Sequence, residues 1–278
     1  MISATKPPYA AIDVYIACVR RTKNAKLKIA LQDEAPRLAQ RSDIYAAKAA
    51  QHDLHNFVPE MPVHVQSEQL TAVYDRVLVN GGERPLYDFL KSRARFRRCL
   101  LCGQRDVQTL DHHLPQAQYP ELCVTPVNLV PCCRECNSAK SMYVPSTYDE
   151  QTFHPYFDDW SQTLVVEAAV QVDEVVSVSF SVCARSPYPV WLERAKIHFA
   201  LLELGTLYSE HAAIELVQQK ASFQSTYDST GVMGLRNELE VEALSRSKPF
   251  PNAWQPALYR CLASSEEFYN KGFEKIEE

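Results

Sequence analysis

The chain of 278 residues lacks any apolar run approaching the roughly 18 residues that a membrane-spanning helix needs, which argues against an integral membrane protein. Its first apolar stretch, YAAIDVYIACV, is interrupted by Asp13 and has no small-residue cleavage site, so no secretory leader is expected and the expected compartment is the cytoplasm. Glycine is scarce, at 7 residues, and there is neither an internal repeat nor a low-complexity segment. With 46% hydrophobic and 23% charged residues, the composition is that of a soluble globular protein, long enough for one large domain or two ordinary ones. An excess of positive charge is missing too. The formal net charge of −5 argues against a generic nucleic-acid binder.

The charge is unevenly spread. Residues 1–145 hold 19 Lys and Arg against 14 Asp and Glu, whereas residues 146–278 hold 10 against 20. The densest basic stretch, KSRARFRRCLLCGQR, carries Lys91, Arg93, Arg95, Arg97, Arg98 and Arg105 without an acid and runs straight into a cysteine pair. An isolated charge run is most simply a solvated helix face. Beside a metal site, the same run is expected to contact phosphate.

Five of the nine cysteines fall within 38 residues, in paired spacings that point to a metal and not to disulfides in an intracellular chain. Cys99-x-x-Cys102 and Cys133-x-x-Cys136 are two knuckles separated by 30 residues. Each lets two thiolates reach one ion from a tight turn, and together they close a tetrahedral site for which zinc is the default ion. Cys132 could replace Cys133, but only Cys133 has the required spacing to Cys136. Cys132 and Cys123 are expected as small buried hydrophobes. A closed four-thiolate site is structural, so any chemistry has to come from the residues between the knuckles.

Helical periodicity at Ile12, Tyr15, Ile16 and Val19, and an Ala-, Leu- and Lys-rich stretch over 24–54, predict two or three N-terminal helices. FVPEMPVHV (57–65) is a Pro-punctuated connector. Ser67 reads as the N-cap of a helix ending at Val79 before Asn80-Gly81-Gly82, and Pro85 opens the next. Residues 163–182 alternate around a central Asp-Glu and predict a hairpin. Ile197, Leu201, Leu204, Tyr208 and Ala212 form one helical stripe, and further helices are expected over 234–245 and from Trp254 to Phe268. The expected fold is α+β and mostly helical. Its segments are a helical region (1–95), a cysteine module (96–145), and a β-hairpin with a helical docking or regulatory region (146–278).

Within the module, VQTLDHHLP reads as a strand ending in Asp111-His112-His113, VNLVPCC as a second strand, and RECNSAKSMY as a short helix. A hairpin and helix pinned by zinc can aim Asp111 and Asn137 at one point. Both offer hard oxygen ligands suited to Mg²⁺ or Mn²⁺, and a neutral histidine beside such an ion can take a proton from water. This segment resembles the HNH endonucleases, the zinc-knuckle type of ββα-metal nuclease, whose pattern runs CxxC, D-H-x-x-P, N-L, CxxC-N-x-x-K. Here the elements are Cys99/Cys102, Asp111-His112-His113-Leu114-Pro115, Asn128-Leu129, and Cys133/Cys136-Asn137-Ser138-Ala139-Lys140. They cover roughly residues 96–142, about a sixth of the chain.

The resemblance implies that His112 is the general base, that Asp111 and Asn137 hold a catalytic divalent ion, and that Asn128 orients the base through the loop backbone. Lys140, with Arg93, Arg95, Arg97 and Arg98, would contact the nucleic acid, with DNA as the expected substrate. Neighbours on a strand face opposite ways. The register favours His112 for the ion, leaving His113 to packing or DNA contact. His154 is expected to pack beside the module, and His198 to be a satisfied core histidine. A second metal site at Asp158 and Asp159 is not favoured. The flanking helices, more loosely, resemble bacterial HNH proteins that accompany an ATPase in anti-phage defence, which implies a defence role and an ATPase or other protein partner. The competing expectation is a non-catalytic zinc module for DNA binding or assembly. Asp111, His112 and Asn137 together favour the nuclease.

Overall fold

The computed structural model describes residues 1–160, 163–183 and 189–277. The chain forms two compact units, Met1–Asp158 and Asp159–Glu278. It is a mixed α/β protein, mostly helical, with two small antiparallel hairpins. Among the described residues no helix is long and apolar enough to cross a membrane.

The first unit starts with α1 (Ala11–Arg20) and α2 (Ala25–Ala50). Asn24 caps α2 by accepting the Leu27 N–H at 3.0 Å. Leu31, Ala35, Leu38, Ser42, Tyr45 and Ala49 then step by four and three residues along its buried face. Pro36 is tolerated inside α2 because the carbonyl it leaves without a donor belongs to Gln32, an exposed residue. The Tyr15 hydroxyl ties α1 to α2 by donating to the Leu31 carbonyl at 2.8 Å.

Helix α3 (Ser67–Val73) runs into a π-helical turn over Tyr74–Val79, and α4 (Arg84–Ser92) has Pro85 in its first turn. The cap of α3 is Gln66 and not Ser67: the Gln69 side chain accepts the Gln66 N–H at 2.9 Å, so a reciprocal glutamine pair does the work expected of the serine.

Strands β1 (Thr109–His112) and β2 (Leu129–Cys132) pair antiparallel, with Thr109 opposite Cys132 and His112 opposite Leu129. Helix α5 (Arg134–Lys140) follows directly. The division into a helical segment and a separate cysteine module at residue 96 does not appear as two units. Leu110, Cys123, Val124 and Leu129 share one core with Val14, Leu31, Leu70, Leu78 and Leu90. Each fully buried leucine there contributes about 1.5–3 kcal/mol. Nor does the first unit end at 145: the Tyr156 hydroxyl donates to the Leu129 carbonyl at 3.0 Å, and the Leu54 N–H to Gln151 Oε1 at 3.0 Å.

In the second unit β3 (Val166–Val172) and β4 (Val176–Val182) form the hairpin expected from alternation, with Val166, Val172, Val176 and Phe180 buried. They are followed by α6 (Pro189–Leu201), α7 (Leu204–Ser247), α8 (Trp254–Ser264) and the short α9 (Glu266–Tyr269). The stripe from Ile197 to Ala212 is not one helix. Glu203 takes φ +51° and breaks it, leaving Leu204, Tyr208 and Ala212 buried on α7. Residues 234–245, read as a separate helix, are the far part of α7 beyond Gly231, whose φ of +72° only glycine adopts freely. His198 is buried against Trp160, and His211 stacks on Trp254.

Candidate functional site

Cys99, Cys102, Cys133 and Cys136 converge, all buried, with their sulfurs within 4.8 Å of one another. A tetrahedron of Zn–S bonds of ~2.3 Å has edges of ~3.8 Å, so the donor set and its spacing fit a zinc ion. Among the described residues this is the one group of three or more His, Cys, Asp or Glu ligands.

The backbone shapes each knuckle. The Gly103 N–H donates to the Cys99 carbonyl at 2.8 Å, and the φ of +73° at Gly103 turns the following chain so that the Gln104 N–H donates to Cys102 Sγ at 3.5 Å. Cys133 caps α5, its sulfur accepting the Cys136 N–H at 3.4 Å. Hydrogen bonds among the clustered thiols pull Cys102 below the ordinary cysteine value and push Cys133 and Cys136 above it, so the four share protons until a metal replaces them. Cys123 and Cys132 stand outside this group. Burial pushes both thiols up, so they remain neutral and apolar.

The far end of the hairpin holds a buried polar cluster. Asp111 faces α5, where Lys140 Nζ lies 3.3 Å from Oδ1 and 3.1 Å from Oδ2 and also donates to the His112 carbonyl at 2.8 Å. The Oδ2 contact is an ion pair without hydrogen-bond geometry, so that oxygen accepts no hydrogen bond among the described residues. Burial pushes Asp111 up to about 6, against the opposing pull of Lys140. Lys140, read from the sequence as a phosphate contact, is buried here at 3% exposure with its ammonium paired to Asp111.

His112 turns to the opposite face. Its Nε2–H donates to the Cys123 carbonyl at 2.8 Å and its ring meets Tyr74 edge-on at 4.5 Å. Because a carbonyl can only accept, Nε2 carries the proton and the lone pair resides on Nδ1. Burial pushes this histidine down to about 4; the Cys123 carbonyl opposes that shift and the charge of Lys140 adds to it. The side chain is therefore neutral at pH 7.

Asn128, fully buried, grips the loop after β1. Its Oδ1 accepts the Leu114 N–H at 2.8 Å, its Nδ2 donates to the Leu114 carbonyl at 3.1 Å, and its own carbonyl accepts the His113 N–H at 2.8 Å. His113 packs with its ring centroid 4.2 Å from that of His154. His154 accepts the Tyr156 N–H on Nδ1, so its Nε2–H donates to the Tyr45 hydroxyl oxygen at 2.9 Å. Asp158 is used internally, accepting the His154 N–H at 2.7 Å and pairing with His52 at 2.9 Å.

Asp111, Lys140, the His112 backbone and Asn128 are thus brought together. Asn137 lies one turn before Lys140 on α5, half-buried, with no side-chain hydrogen bond among the described residues. Arg93, Arg95, Arg97 and Arg98 are all exposed. Arg93 donates to Thr5 at 2.9 Å and Arg98 pairs with Asp106 at 2.9 Å. Tyr74 and Tyr45, which frame the two histidines, carried no signal in the sequence beyond helical spacing.

No family model and no solved structure matches the chain. Protein ea31 of Escherichia phage lambda is 32% identical over 214 residues, covering 70% of this chain and 67% of that protein. At that identity and coverage, the chain belongs to the family of phage lambda protein ea31.

Proposed function

We propose that this protein is a divalent-metal-dependent endonuclease of the HNH type, hydrolysing phosphodiester bonds in DNA. The observation that carries the reading is Asn128. A buried asparagine with both amide atoms bonded to Leu114 fixes the chain just after His112, which is the positioning role that the HNH resemblance assigns to it. The hairpin β1–β2 followed by α5, anchored by four cysteines, agrees with a ββα-metal frame.

The sequence-based expectation that His112 faces the ion is not met in this structure, where its ring lies against Tyr74 and the Cys123 carbonyl on the face opposite Asp111. In this reading the ring has to turn toward Asp111 before its Nδ1 takes the proton of the attacking water, and burial keeps it neutral at pH 7. Asp111 and Asn137 are the hard oxygen donors for Mg²⁺ or Mn²⁺, and such an ion would supply Lewis-acid stabilisation of charge on the phosphate and the leaving 3′ oxygen. The fit rests on Asp111 Oδ2, buried and without a hydrogen bond, and requires the Lys140 ammonium to leave it. A defence role and an ATPase partner belong to the same proposal as its outermost part, resting on resemblance of the flanking helices.

The Asp111–Lys140 ion pair favours a second reading, a non-catalytic zinc module, because an internal ammonium neutralises the carboxylate without a divalent ion. The test is nicking of supercoiled plasmid with Mg²⁺ or Mn²⁺ by wild type and His112→Ala at matched zinc content. Cutting by wild type alone supports the nuclease. Equal cutting by the variant removes His112 as base, and absence of cutting by both, with no Mn²⁺ bound in an EPR titration, supports the zinc module.

A further inference from the structure

The turn Arg95–Arg97 enters the first cysteine knuckle with a left-handed backbone. Phe96 has φ +58° and ψ +18°, and Arg97 has φ +57°. Two consecutive left-handed residues, neither of them glycine, are costly, and such strain persists where the surroundings hold it. The surroundings do so here: the Arg97 carbonyl accepts the Val107 N–H at 2.8 Å, Arg98 bridges to Asp106, and the Cys99 N–H donates to the Arg105 carbonyl at 2.8 Å. The result is a phenylalanine 65% exposed, with the Arg95 guanidinium 4.6 Å from its ring centroid and exposed arginines at 93, 97 and 98.

We propose that Phe96 is a stacking platform for an unpaired base, with the surrounding arginines on the flanking phosphates, so that this face selects nucleic acid containing a single-stranded or unstacked position. The proposal rests on the nuclease reading for its biological setting, but its chemistry is that of the turn. Every base offers a π-face to an aromatic ring, and arginines supply the phosphate contacts that a phenylalanine cannot. The turn is tied to the chain that leads into the site: the Arg97 carbonyl accepts the Val107 N–H, and Val107 lies five residues before His112 in the sequence.

The experiment is fluorescence anisotropy of the full-length protein with a labelled DNA oligonucleotide as single strand, as perfect duplex, and as duplex with one unpaired adenine. Wild type is expected to bind the single strand and the bulged duplex more tightly than the perfect duplex. Phe96→Ala should lower affinity for the first two by about 5- to 150-fold, and Phe96→Trp should restore it. Phe96→Asn separates binding from folding: asparagine suits the left-handed backbone, so its melting temperature should rise while its binding falls like that of alanine. Unchanged binding by Phe96→Ala and Phe96→Asn overturns the proposal and turns the surface toward a protein partner. Failure of wild type to bind any of the three overturns it as well. Cleavage by wild type and His112→Ala, run on the same samples, judges the nuclease reading separately, since binding without cutting leaves the platform standing.

Discussion

Replacing Asn128 with alanine strips the Leu114 N–H and carbonyl of their partners at once, in a place where both residues are almost completely buried. A buried backbone group left unsatisfied costs about 1–3 kcal/mol, so two give about 2–6 kcal/mol before relaxation. Water entering the space vacated by the side chain would recover part of this, which leaves about 3 kcal/mol as the expected loss. For a unit of this size each kcal/mol lowers the melting temperature by about 2–4 °C, so a drop of about 6–12 °C is expected. The assay should report on the first unit alone, and in protein loaded with zinc at the four cysteines, release of the ion during heating would do so. Asn128→Asp is the informative companion: its carboxylate can still accept from the Leu114 N–H but faces the Leu114 carbonyl with no donor, so it should not rescue the loss. A loss below about 1 kcal/mol in Asn128→Ala would refute the reasoning. It would mean that the two hydrogen bonds do not hold the loop, and the positioning role of Asn128 would fall with them.

Zinc should be released stoichiometrically by a strong chelator with loss of helical signal from the first unit, and Cys136→Ser should purify without it; retained structure after release would contradict a structural role for the cluster. Glu34 is fully buried, and although burial alone would raise its carboxyl, the backbone N–H groups of His64 and Val63 and the Arg37 guanidinium hold it below the ordinary value. Its stabilisation is therefore present above the unfolded carboxylate value, about 4.3, and is lost as pH falls through the lower folded one; urea unfolding against pH should show this acid slope in wild type and lose it in Glu34→Gln. Lys140→Met should leave Asp111 buried without its cation and cost about 3–5 kcal/mol where the carboxyl is ionised. Because the folded Asp111 value is already raised to about 6 and this change raises it further, the penalty should grow as pH rises and shrink as Asp111 takes up a proton; a pH-independent loss would show that the ion pair is not its source.

The parts of the site that were legible in the sequence are those set by local rules. Two CxxC spacings bring thiols together from tight turns, and the short apolar runs of VNLVPCC and VQTLDHH read as two strands that pair antiparallel. The first helices and the 163–182 hairpin were legible for the same reason: one face of each is apolar at the right period. What escaped depends on contacts distant in sequence. A lysine after CN-x-x reads as a phosphate contact, and only the fold reveals that Lys140 is enclosed with Asp111. The apolar stripe through Ile197 and Ala212 keeps its phase across Glu203, so periodicity alone could not detect the break. The boundary at Asp158 was hidden because the segment that closes the first unit, with Phe153, His154 and Tyr156 buried, carries no regular pattern.

The four-cysteine cluster and the polar cluster are joined by one short helix. At 7 residues α5 is too short to persist on its own, since isolated helices below about 12–15 residues are marginal in water. Its start is fixed by Cys133 as cap and by Cys136 in the thiol cluster, and its last residue is Lys140, whose ammonium bridges Asp111 and the His112 carbonyl. Anything that loosens the cysteines therefore loosens the cation that neutralises Asp111, although the two sites share no ligand. The pair in turn depends on burial: without Lys140 the carboxyl would be driven further toward its neutral form, and with a divalent ion in its place toward the charged one. The four cysteines thus do more than close a loop: by fixing the start of α5, they set Lys140 against Asp111.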